Sequence, residues 1–137
     1  MALQYSDSVR NAQLDAVEST IGTAAVLKIY DLTASAPANC AAAITGTVLA
    51  TITLPSDWMN AASSGSKTKL GTWQDASADA AGTADFFRLF ASDGTTCGAQ
   101  GTVSATGGGG DLTLDNAVIA AGQSVTISTF TLSAGNA

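Results

Sequence analysis

Hydrophobic and polar positions alternate with a period of two over most of this chain. The clearest run is Gly46 to Pro55. Val48, Ala50, Ile52 and Leu54 alternate there with Thr47, Thr51 and Thr53, between a glycine and a proline that punctuate the ends. Such alternation predicts a strand with one apolar face and one face coated with threonine hydroxyls. Val48, Ala50, Ile52 and Leu54 should build a core. Thr47, Leu49, Thr51 and Thr53 should meet water, a helix or a neighbouring subunit, and Leu49 breaks the polar character of that face.

Further strands follow from the same reading. Ala24 to Leu32 places Ala25, Leu27 and Ile29 on one face and Val26, Lys28 and Tyr30 on the other. Ala84 to Ala91 carries Phe87 and Leu89 on one face and Phe86, Arg88 and Phe90 on the other. Large side chains on both faces predict an interior strand, covered on one side by a second sheet and on the other by the helix or a partner. Ser92-Asp93-Gly94-Thr95 is a hairpin signal, after which Cys97, Ala99, Gly101 and Val103 share a phase. Lys69 to Gln74 and Leu112 to Leu114 suggest short strands, and the turn formers Asp115-Asn116 and Ala121-Gly122 flank Val118-Ile119. Val125 and Ile127 run in one phase and Phe130 and Leu132 in the other, which predicts a bulge near Ser128–Thr129.

One helix is expected over Tyr5 to Gly22. Ser6 or Asp7 can cap its start, and Leu14, Val17 and Ile21 recur at spacings of three and four. Arg10, Gln13, Asp15 and Glu18 supply its polar side. Gly22 suits the left-handed residue that ends a helix. Thr33 to Thr45, Asn60 to Lys69 and Asp75 to Gly82 read as loops, with Trp58 and Met59 plugging one end of the core. Gly107 to Gly110 reads as a flexible linker, and Ser133 to Ala137 as a fraying tail. Short strands separated by Gly, Asp and Asn turns predict an all-β chain. The expected architecture is a single β-sandwich or jelly-roll domain over residues 1–137, with one N-terminal α-helix at about 6–22.

Composition narrows the function. The chain is 46% hydrophobic and only 12% charged, with a net charge of −6 and no histidine; typical domains are about 25% charged. A surface so poor in charge suits a chain that spends its life against partners or outside a cell. Of five basic residues only Lys67 and Lys69 are neighbours, which argues against nucleic-acid binding. No run approaches the length of a membrane span. The opening residues lack the basic and apolar regions of a signal peptide, so synthesis in a cytosol is expected. Cys40 and Cys97 have no metal or redox spacing. Two small buried thiols are the expected state, with a disulfide open only to a chain that reaches an oxidising environment.

Candidate chemistry is sparse. Gly107–Gly110 lacks the lysine and following helix of a phosphate loop. Asp75, Asp79 and Asp85 offer oxygens for Ca²⁺, but their spacing supports a solvated loop. Asp57 beside Trp58 resembles a sugar-stacking pair, though a turn aspartate capping a buried tryptophan reads better. Serines and threonines are abundant, but no activating histidine accompanies them. No enzyme activity, cofactor or metal is expected, and no catalytic residue is assigned. A feature of more weight is the apolar arm Met1–Tyr5, which either reaches a neighbour or folds back on its own sheet.

Met1-Ala2-Leu3-Gln4-Tyr5-Ser6-Asp7-Ser8-Val9-Arg10-Asn11-Ala12, Ala36–Ala42, Leu54–Met59, Gly71–Asp75 and the closing Gly122–Ala137 together resemble a family of small structural proteins of tailed bacteriophages. The resemblance spans nearly the whole chain and is compositional and architectural; it carries no functional residues over. It implies a virion component assembled in the bacterial host cytoplasm. Small β-sandwich proteins of virions commonly decorate or cement the head. The expectation is therefore a homo-oligomeric decoration protein that binds the major capsid protein and stabilises the shell, although its N-terminal stub is shorter than the long arm of such proteins. The alternatives are a tail, head–tail connector or fibre-associated subunit and, from another class, a carbohydrate-binding module. The module would need Trp58 or Trp73 exposed.

Overall fold

In the computed structural model, which describes residues 1–135, the chain is mainly β with one helix, α1 (Asp7–Ile21). The Ser6 hydroxyl accepts from the Val9 amide at 3.3 Å, and Asp7 sits in the first turn. At the other end Gly22 takes a φ of 97° and donates its N–H to the Glu18 carbonyl. Leu14 and Ile21 are buried and Val17 packs against the core.

The first layer is a five-stranded sheet. It contains β1 (Val26–Leu32), β2 (Gly46–Thr53), β6 (Phe86–Phe90), β7 (Cys97–Ala105) and β8 (Leu112–Leu114), in the order β2-β1-β6-β7-β8. All pairings are antiparallel except β7–β8. In place of one second sheet the structure has three two-stranded ribbons. These pair β4 (Trp73–Asp75) with β10 (Val125–Ile127), β3 (Ser66–Thr68) with β11 (Thr131–Ser133), and β5 (Gly82–Thr83) with β9 (Val118–Ile119). One face of the sheet, with Leu27, Ile29, Ile52, Phe87 and Leu89, shares a continuous apolar core with Trp58, Trp73, Ile119, Val125, Ile127 and Phe130. Trp73 is the hub of its aromatic cluster, with ring centroids 6.0 Å from Trp58 and 5.5 Å from Phe130.

Two bulges change the expected facing of side chains. Ala50 pairs with Ile29 but Val48 with Tyr30, so Leu49 is the extra residue. Leu49 is fully buried in the core cluster, while Val48 is displaced to the opposite face with Tyr30. The expectation that Val48 faces the core and Leu49 the outside is thus reversed. In β7, Ala99 pairs with Leu89 but Cys97 with Phe90, leaving Gly98 extra. Cys97 therefore leaves the phase of Ala99 and joins Phe90 on the far face. Gly98 has no room for a side chain, because a β-carbon there would collide with Ile21.

Other expectations need correction. There is no bulge at Ser128–Thr129. The phase changes because the chain leaves the β4–β10 ribbon and enters the β3–β11 ribbon, where Phe130 is buried. Neither α1 nor a second sheet covers the far face of β6, where the segment 33–45 lies instead. Ser133 and Ala134 do not fray: Ser133 pairs with Ser66, the Ala134 amide donates to Gly65, and its carbonyl accepts from Arg10 Nε at 2.6 Å. Asn136 and Ala137 lie outside the described residues.

Candidate interaction surface

The far face of the sheet carries Tyr30, Phe86, Arg88 and Phe90, all buried. The Tyr30 and Phe86 rings lie 6.3 Å apart, and the Lys28 ammonium sits 5.2 Å from the Phe90 ring centre. Arg88 is only 6% exposed. Its guanidinium donates to Gln100 Oε1 at 3.0 Å and to the carbonyls of Asn39 and Ala42 at 3.0 and 2.6 Å. Gln100 in turn donates to the Pro37 carbonyl at 2.9 Å. The Asn39 carboxamide accepts from the amides of Ala41 and Ala42, closing a tight turn. A disulfide joins Cys40 to Cys97, whose Cα atoms are 5.5 Å apart. The expectation of two free thiols is corrected: the bulge at Gly98 brings Cys97 round to meet Cys40. Burial raises the Tyr30 phenol above its usual range, against a smaller opposing pull from the Arg88 charge.

A second polar cluster joins α1 to β3. Lys67, expected in an exposed loop, is 3% exposed; its ammonium contacts Asp15 at 2.8 Å, Glu18 at 3.0 Å and the Asn60 carbonyl at 2.8 Å. Burial alone would depress the Lys67 amine, but its hydrogen bonds to Asp15 and Glu18 outweigh that and raise it. Asp15 is lowered by its hydrogen bonds to Lys67 and to the Ala62 amide. An amine held protonated in this way is neither a base nor a nucleophile. Asp15, Glu18 and Lys67 border an open groove of about 510 Å³, together with Asp57 and Met59.

The remaining candidate residues are dispersed. Asp75 and Asp79 meet at Thr51, where Asp75 accepts from the amide and Asp79 from the hydroxyl. Asp85 instead accepts from the Leu32 amide. Among the described residues no group of three Asp, Glu, Cys or His side chains is placed to hold a metal ion. Trp58 and Trp73 are both fully buried, so neither supplies a sugar-stacking platform. Trp58 Nε1 donates to the Gly22 carbonyl at the end of α1, not to Asp57. Gly108 and Gly110 are anchored to Ala105 and Ser104 instead of forming a free linker.

The N-terminal arm is different. Residues 1–6 precede α1 without regular structure; Met1 is fully exposed and Leu3 keeps 75% of its surface. Val9, on the first turn of α1, is exposed beside them. The arm does not fold back to bury Met1 or Leu3 on its own sheet. Among the described residues no helix is long and apolar enough to cross a membrane. Compared with protein-family models, with curated proteins and with solved structures, the chain matches none.

Proposed function

We propose that this protein is a structural subunit of a tailed-bacteriophage virion, acting as a decoration protein that docks on the major capsid protein and braces the head. The observation that carries this reading is the arm. Leu3 and Met1 present apolar surface to water ahead of a well-capped helix, and burying such surface on a neighbour is favourable by about 25 cal/mol per Å². Weak contacts per copy become strong when many copies engage one lattice. The low charge, the absence of clustered basic residues and the resemblance to small phage structural proteins support the same reading. We read the three ribbons as a broken second layer, which makes the fold a distorted β-sandwich, and we expect a dimer or trimer on the shell.

Quantitative mass spectrometry of purified particles tests this. A decoration role requires far more than the roughly three, six or twelve copies that a closed tail ring accommodates. A ring-sized count would move the protein to the tail or connector. Removal of residues 1–3, which carry the exposed Met1 and Leu3, should lower retention on heads at least tenfold while leaving the fold intact; unchanged retention rejects the arm as the contact.

A further inference from the structure

The Cys40–Cys97 bond invites the assumption that it holds the segment 33–45 in place. The polar contacts argue otherwise. Arg88 grips the carbonyls of Asn39 and Ala42, Gln100 grips that of Pro37, and the Asn39 side chain closes the turn that carries Cys40. A further backbone bond from the Thr33 amide to the Thr45 carbonyl ties the base of the segment. None of these contacts involves sulfur. On the sheet side, Cys97 is turned to this face by the β7 bulge, which is fixed by the pairing with β6 and by the close approach of Ile21 to Gly98. Both cysteines are therefore brought together by groups other than themselves, and both are only partly buried, within reach of a small oxidant.

We infer that Cys40–Cys97 is a latch closed after folding, when the protein passes from a reducing to an oxidising medium, and that the segment 33–45 is already seated in the dithiol form. Closure proceeds by thiol–disulfide exchange. A thiolate of the pair attacks a small disulfide such as oxidised glutathione and expels one glutathione thiolate. The second cysteine thiolate then attacks the mixed disulfide and expels the other. The two cysteines lose two electrons and two protons, and the glutathione disulfide is reduced to two thiols. The latch adds permanence to a seated strap, and it does so only where the surroundings are oxidising. This inference is independent of the proposed virion role.

Elastase, which cuts after small residues, reads the strap directly, with mass spectrometry locating cuts within residues 33–45. In the whole protein, reduction should raise the cutting rate there less than tenfold. Adding oxidised glutathione to the reduced, folded protein should restore one intramolecular bond and leave no bound glutathione. Arg88→Gln in the reduced protein should raise cutting more than tenfold, because the carbonyl grip is lost. Reduction of the unsubstituted protein that alone raises cutting tenfold or more would show that the bond builds the strap, and would overturn the inference. Persistent glutathione adducts on the folded protein would overturn it equally.

Discussion

The two faces of the five-stranded sheet are held by different physics. On the ribbon side, Leu27, Ile29, Leu89, Trp58, Trp73 and Ile127 are all but sealed from water in one apolar cluster. That side rests on area and close packing. On the strap side, aromatic rings flank a buried arginine, and the cover is a segment without regular structure, seated by carbonyl–guanidinium hydrogen bonds and joined to β7 by one disulfide. Packing is distributed, so that side yields only when the whole domain does. A strap depends on a few directional bonds, so it can open while the sheet beneath it persists. The same sheet thus has one face sealed by distributed packing and one covered by a strap on a few directional bonds.

The largest test removes the centre of the packed face. Trp73→Ala should cost about 3–5 kcal/mol in denaturant unfolding, because it deletes a fully buried indole that touches both Trp58 and Phe130. The loss should appear as a shift of the global transition, with the strap and sheet melting together. A cost below about 1 kcal/mol would mean that the ribbons are not a cohesive layer. Arg88→Ala should cost less, about 1–3 kcal/mol, the penalty of leaving buried polar groups unpaired. It should speed hydrogen exchange across 38–42 more than in β1 or β6. Equal acceleration everywhere would erase the distinction between the two faces. The smallest effect concerns acid. Asp93, in the turn between β6 and β7, accepts from the Thr96 hydroxyl and from the amides of Thr96 and Thr95, which lowers its carboxyl to about 2. Its folded value lies below its unfolded one, so its contribution is present above pH about 4 and is lost as pH falls through about 2. Asp93→Asn should flatten the stability–pH profile in that window. An unchanged slope would remove Asp93 from the turn's energetics.

These contrasts explain what was legible in the sequence. The helix was read within two residues of its ends, because Ser6 and Gly22 are local signals that need no partner. The burial of Trp58 and Met59 and the interior position of Phe86–Phe90 followed from side-chain size and two-faced apolarity. The facing of Leu49, Val48 and Cys97 did not follow, since a bulge is decided by the pairing strand and strict alternation hides it. The Cys40–Cys97 disulfide stays an open alternative in the sequence, because composition does not reveal the redox environment and alternation does not show the bulge that brings Cys97 to Cys40. Ser66-Lys67-Thr68 has no apolar member and reads as loop; the burial of Lys67 depends on Asp15 and Glu18, some 50 residues earlier, which a local pattern cannot register. Short strands at even spacing look alike whether they join in one ladder or in three, so the division into separate ribbons is not legible in the sequence.

One detail of β2 reaches beyond stability. It is an outer strand of the sheet, and an outer strand normally offers its unpaired backbone groups to any other extended chain. Here the Thr51 amide is occupied by the Asp75 carboxylate, and the Leu49 carbonyl accepts from the Asp79 amide at 2.8 Å. The rim is therefore plugged by Asp75 at the end of β4 and Asp79 in the segment after it, and a second chain would have to displace both to extend the ladder there. Runaway stacking into fibres is closed off at that rim even where many copies are packed side by side.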